Sequence, residues 1–411
     1  PRKGLIGAWG HKYPHMGGPG PEIDFLNEAV RWWDYYIKGI DNGVKDEPML
    51  RGWMQDTISP LSSRRPGRWV GEKQWPSGHI KEVTYPLFPG RIVFEEQKCD
   101  ENMELSIQSP LNVGLFAGKW CSYSESTDLP SDQREEDGGA LVFDSPPLEE
   151  DFEILGKPYL KLKIQSNKPI AMVAARISDV APNGRATRVT YGLLNLTHRE
   201  SHEKPSELEP GKYYSVELPL NYIGQLFPAD HQIRVSISTS YWPLAWPSPE
   251  PAQLVIDTRE SFVTLPRRNG KNSDNHLRDL GKPKDWDRLD TTLLVPAKRE
   301  WKVEHNLATN EVTAKVKNND AQYRINHINW EIRKDVDETY TYSNNNYDTV
   351  KGEVKSVREF RRNGWMAQAV TRTVLTSTRT HFVIRATLDA YEGDVRVFSK
   401  SYDQTIPRDL M

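Results

Sequence analysis

The sequence predicts a mainly β protein. A short strand–helix–strand piece of an α/β layer leads into an antiparallel β-sandwich or jelly roll, and a further antiparallel β domain follows. Three observations carry this. From about residue 79, short alternating runs such as VTYPLF, YLKLKIQS and QIRVSIST are separated by turn clusters. Ahead of them stands a single helical pattern, PEIDFLNEAVRWWDYYIK, preceded by the apolar run GLIGAW. The 29 prolines and 27 glycines among 411 residues demand many turns.

The chain divides into five parts on this reading. Residues 1–58 read as strand, loop, helix, strand. The run 4–9 is apolar on both faces, as in a strand inside a parallel sheet. No initiator Met, leader pattern or neighbouring strand precedes it. The expectation is therefore a C-terminal fragment cut within an α/β domain. The helix spans residues 21–38, with Pro21 in its first turn, Glu22 and Asp24 at its positive end and Gly39 as its stop. Ile23, Leu26, Val30, Trp33 and Ile37 form one stripe, with Ala29 and Tyr36 beside it, suited to covering a sheet.

Residues 59–78 read as a linker anchored by Trp69 and Trp75, and residues 79–265 as the sandwich. There Leu160, Leu162 and Ile164 share one face while Lys161 and Lys163 take the other. Ile233, Val235 and Ile237 likewise oppose Arg234 and Ser236. Residues 266–290 are polar and read as a second linker. Residues 291–411 are β again: Phe382, Ile384, Ala386, Leu388 and Ala390 lie on one face of a strand, Glu392-Gly393 turns it into Val395 to Phe398, and Ser343 to Asn346 form a loop.

Composition excludes several classes. The net charge of -3 gives no basic surface for nucleic acid or an anionic membrane. No apolar run approaches the roughly 18–20 residues of a spanning helix. Cys99 and Cys121 are too few for a disulfide framework and read as free thiols, one bridge being the alternative; compartment is left open.

Chemistry centres on GAWGH. A histidine just past the end of a parallel strand sits where α/β proteins place functional groups. In α/β-hydrolases the triad order is Ser, then Asp or Glu, then His, so the histidine follows the last strand and precedes the last helix. His11 fits that position, and an unperturbed imidazole pKa near 6.5 suits proton exchange at neutrality. His15 is the competitor. A metal pair His11/His15 is disfavoured because Pro14, Gly17, Gly18 and Pro19 forbid a helix and no acidic ligands accompany them.

Other residues carry weaker alternatives. Asp132, Arg134 and Asp137 read as structural ion pairs ahead of a substrate-binding role. Tyr241, Trp242 and Trp246 read as turn packing ahead of a carbohydrate platform. Asn195-Leu196-Thr197 is a sequon in a strand, and Arg358, Arg361 and Arg362 read as a solvated strand edge. Ser236, Ser238 and Ser240 lie in a strand pattern and no G-x-S-x-G elbow exists, so no nucleophile is nominated.

GAWGHKYPH, followed by a helix ending RWWDYYIKGIDNG, resembles the CocE/NonD hydrolases and their relatives, the X-prolyl dipeptidyl-peptidases. These carry a GPWSH-like motif at the catalytic histidine; Ala8 stands for the usual Pro and Gly10 for the usual Ser. The stretches 132–164, 175–200 and 238–250 resemble that family's C-terminal jelly roll, and 391–410 the tail of its longer members.

The resemblance implies a C-terminal remnant of an α/β-hydrolase domain, a jelly-roll (galactose-binding-like) β-sandwich and a further antiparallel β domain. His11 would be the general base of a Ser-Asp-His triad acting on a small ester or X-Pro peptide. The Ser, the Asp and the oxyanion donors would lie upstream. No cofactor, no metal, no nucleic acid and no membrane partner are expected. A non-catalytic β-sandwich that binds carbohydrate or protein is the rival reading, and homo-oligomerisation through the β domains a third.

Overall fold

The computed structural model describes residues 1–94, 103–123, 126–270, 274, 276–284 and 289–411. Cys99 lies outside them; Cys121 is an exposed free thiol. The fold is mainly β, in two sheets.

Alternation builds the sandwich as expected. Leu160, Leu162 and Ile164 of strand Tyr159–Ser166 are buried, as are Ile233, Val235 and Ile237 of strand Gln232–Ser238. They meet Val173, Ala175 and Ile177 of strand Met172–Val180, and Val263 and Leu265 of strand Leu254–Arg268, in one core. One side runs Leu141–Asp144, Gln232–Ser238, Met172–Val180, Ala186–Asn195, all antiparallel. On the other, the long strand Leu254–Arg268 pairs with Ile80–Phe88, Tyr159–Ser166 and Glu104–Ile107.

The first segment departs from expectation in three ways. The opening strand is only Gly4–Ile6; it pairs in parallel with Leu50–Gln55, but Gly7 ends it and Ile6 is exposed. The helix is Phe25–Lys38, capped by Asp24, whose carboxylate accepts from the Asn27 N–H. Pro21 is not in it. Gly39, in the left-handed region at φ 69°, stops it as expected. The apolar stripe does not cover a sheet within the chain: Leu26 is 56 %, Trp33 56 % and Ile37 73 % exposed, and Ile23, just ahead of the helix, alone is buried.

The two presumed linkers carry structure. Within 59–78, Gly67–Glu72 is a strand antiparallel to Leu50–Gln55. Strand Leu254–Arg268 runs past residue 265, and its Arg268 is buried with Glu72 and Asp274 at 2.7 Å each. Such a charge needs several carboxylate bonds to offset its desolvation. This ion cluster ties Asp274 to strand Gly67–Glu72 and, through Glu153, to the sandwich.

The second sheet is a meander of long antiparallel strands, Trp330–Ser343, Lys351–Arg362, Trp365–Ser377, His381–Glu392 and Val395–Pro407. Its last hairpin turns at Gly393-Asp394. Lys351–Arg362 is an inner strand, so Arg358, Arg361 and Arg362 are exposed side chains near a hairpin and not a sheet edge. The sheet docks on the sandwich through Trp242, Leu111, Leu115, Val312, Ala314 and Tyr342. Trp246 donates to Ser377 Oγ at 2.8 Å and Arg408 to the Pro247 carbonyl at 2.5 Å.

Candidate active site

The loop after the first strand is closed on itself. Trp9 bridges Pro19, and its indole N–H donates to the Pro21 carbonyl at 2.8 Å. Gly10 N–H donates to the Gly18 carbonyl. Gly17 sits at φ 65°, where a side chain would also collide with Glu22. The closure presents His11 on the outside of the loop, with an exposed side chain.

The sandwich holds His11 from behind. Its backbone N–H donates to the Ser122 carbonyl at 2.7 Å, and its ring meets Tyr123 edge-on at 5.3 Å. Among the described residues neither ring nitrogen is hydrogen-bonded. An imidazole fixed through its backbone, with both nitrogens open, can accept a proton on one side and an orienting carboxylate on the other.

His15 is placed differently. It stacks between Tyr13 at 5.7 Å and Phe25 at 6.5 Å. No cluster of three or more His, Cys, Asp or Glu that could hold a metal occurs among the described residues.

The remaining marked residues are structural in geometry. Asp132 pairs with the exposed Arg134. Asp137 accepts from Arg176 (2.8 Å), Arg234 (2.9 Å) and Ser236 (2.7 Å), and Arg176 also pairs with buried Glu136. Glu136 in turn accepts the N–H groups of Gly114 and Phe116. This network therefore anchors the stretch that leads to Ser122 and Tyr123 beside His11. Tyr241 and Trp242 are fully buried and offer no stacking platform. Asn195 donates to the Leu410 carbonyl, and Ser236, Ser238 and Ser240 are buried.

Two features had no readable signal in sequence. One is the contact of Ser122 and Tyr123 with His11. The other is Glu47, which gathers Lys3, Arg31 (2.9 Å) and Arg278 (2.9 Å) and so pins the first strand and the helix to the segment near residue 278. Burial alone would raise the Glu47 carboxyl, but its hydrogen bonds to Lys3, Arg278 and Arg31 outweigh that and hold it at about 2. A depressed carboxylate stabilises fully above the ordinary carboxylate range and loses that contribution as pH falls through about 4.5 towards 2. The hydrogen-exchange protection factors of residues 25–38, which are corrected for the intrinsic rate at each pH, are thus expected to fall over that window in the wild type. In Glu47→Gln protection should be low already at pH 7; identical protection profiles would refute the role.

Residues 42–281 match the family model described as the X-Pro dipeptidyl-peptidase C-terminal non-catalytic domain. His11 lies outside that match. A Bacillus cereus protein named provisionally as an Xaa-Pro dipeptidyl-peptidase is 25% identical over 254 residues, covering 61% of this chain and 40% of its own. The cocaine esterase of a Rhodococcus species is 28% identical over 264 residues, covering 58% and 44%. The chain thus spans well under half the length of these relatives. Among solved structures, an aminopeptidase from a marine sediment archaeon is similar with a TM-score of 0.48 at 18% identity, over 59% of this chain and 44% of that one.

Proposed function

Since the chain belongs to the family of X-Pro dipeptidyl-peptidase C-terminal non-catalytic domains, we propose that it forms the C-terminal part of a CocE/NonD-type serine hydrolase to which it contributes the triad histidine, His11. In this reading His11 takes the proton of a Ser outside these residues as that Ser attacks an ester or X-Pro amide carbonyl. It then protonates the leaving alcohol or amine, and water, activated in the same way, releases the acyl group. A triad Asp, also outside these residues, orients the imidazole.

One observation carries the proposal. A parallel strand pair ends in a loop that presents an open imidazole, and the helix that follows keeps its apolar stripe in solvent. Exposed stripes of this size mark a packing surface. Here the occupant is the rest of an α/β sheet, which also brings the nucleophile to His11. The peptidase and esterase names of the relatives support the reaction class.

Trp33 tests this. In the 411-residue chain Trp33→Lys, at a 56 % exposed site, is expected to change stability by no more than about 0.5 kcal/mol. In the whole protein the same change buries a charge, so p-nitrophenyl acetate turnover should be lost with the folded state. Full turnover by the whole-protein variant would contradict a covered stripe, and absent turnover by the wild type towards both this ester and a glycyl-prolyl anilide would contradict the hydrolase.

A further inference from the structure

We infer that the cleft between the strap at residues 55–65 and the outer strand Ala186–Asn195 is a binding site for a small organic monocarboxylate, with Arg65 as its principal ligand-holding group. The site does not depend on His11 or on the hydrolase reading.

The cleft has a volume of about 170 Å³. At about 30 Å³ per water, it holds a molecule the size of some five or six waters. Arg65 and Arg188 both line it. Arg188 is committed: it donates to Tyr241 Oη at 2.7 Å and lies over the Tyr191 ring at 4.2 Å. Arg65 is half-buried, and among the described residues its guanidinium has no hydrogen-bond or ion-pair partner. Burial first, and then the charge of Arg188, pull the Arg65 guanidinium down to about 10. Two buried guanidiniums, Arg176 and Arg268, each hold two or more carboxylates, while buried Arg408 is held by carbonyl and hydroxyl oxygens. An unpaired one beside a second cation is where an anion stabilises most.

The lining selects the anion. Asp179 also faces the cleft, but both its oxygens are taken, by His231 at 2.7 Å and by Thr57. Asp56 is the second acid on the wall, and neither forms an ion pair with Arg65 or Arg188. Two cations against two acids make the lining neutral overall, so a monoanion adds less uncompensated charge there than a phosphate dianion does. A planar carboxylate matches the guanidinium fork in two parallel hydrogen bonds. Ile58, Val189, Tyr191 and Tyr222 supply apolar surface for a short carbon chain.

Calorimetric titration of the 411-residue chain with sodium propionate and with inorganic phosphate, at constant chloride, tests this. Propionate is expected to bind one site saturably, and Arg65→Gln to weaken it about tenfold or more, the size of a lost charge-assisted pair. Arg65→Lys should retain part of the affinity. Both variants are compared after checking that their melts match the wild type; Arg65→Met, which keeps the stem's packing, replaces a variant that fails this. No saturable propionate heat, an unchanged affinity in a natively melting Arg65 variant, or tighter binding of phosphate than of propionate would each overturn the assignment.

Discussion

Arg176→Ala is expected to lose about 3–5 kcal/mol of stability, the cost of stranding buried charge. Arg176 is almost wholly inside the sandwich, with Glu136 and Asp137 as its partners. Removing it leaves Glu136 buried without a counter-charge, since its remaining donors are the Gly114 and Phe116 amides. Asp137 keeps Arg234 and Ser236. Glu136 and not Asp137 should therefore carry most of the loss. Small domains hold only about 5–15 kcal/mol, so this single change consumes a large share. In a double-mutant cycle Arg176→Ala with Glu136→Gln should be milder than the sum of the two single changes. Chemical denaturation measures all three; a loss below about 1 kcal/mol for Arg176→Ala would put the network at the level of a surface pair.

The same network reaches the candidate site. Glu136 fixes the backbone at Gly114 and Phe116, and the chain continues to Ser122 and Tyr123, which hold His11. Even where Arg176→Ala still folds, His11 should lose its backing. This variant is therefore expected to lower turnover by the whole protein at temperatures where its fold persists.

His11→Gln is expected to produce the largest functional effect. Removing the base of an acyl-transfer triad leaves only what binding and oxyanion stabilisation supply, so kcat should fall by about 10³-fold or more. Stability should barely move, because the side chain is exposed and its ring is not hydrogen-bonded among the described residues. The KM should also stay near its wild-type value, because a base acts in the transition state more than in substrate binding. His15→Gln gives the contrast. His15 is packed between Tyr13 and Phe25, so its loss should act through loop packing and not through the pH dependence of turnover.

Much of the β architecture was legible because burial in a half-covered strand repeats every second residue, as Leu160, Leu162 and Ile164 do. Gly39 was legible as a helix stop because only a residue free to take positive φ ends a helix that way. The helix start was not. Pro21 and Glu22 look like a first turn, but contacts from far along the chain set the entry: Ile23 N–H donates to Pro14, and Asp24 N–H to the carbonyls of Leu280 and Gly281. Strand Gly67–Glu72 escaped notice for a similar reason. Its Gly, Arg and Trp composition carries no alternation, and the ladder with Leu50–Gln55 makes it a strand.

Charged residues were the least readable. Arg268 belongs with Glu72, 196 positions away, and Arg234 with Asp144, 90 away. Nothing local distinguishes them from solvated charges. At the candidate site the position of His11 past a parallel strand could be read from the motif, while the sandwich loop that backs it could not. Ser122 and Tyr123 meet His11 only in the folded chain.

The central claim is that His11 serves a serine nucleophile. The most direct measurement is intact mass of the protein isolated from its source, before and after a fluorophosphonate probe, for the wild type and for His11→Ala. A mass well above 47.2 kDa, one probe adduct in the wild type and none in the variant is the predicted result. A mass near 47.2 kDa with no adduct, or equal labelling of both proteins, would contradict it.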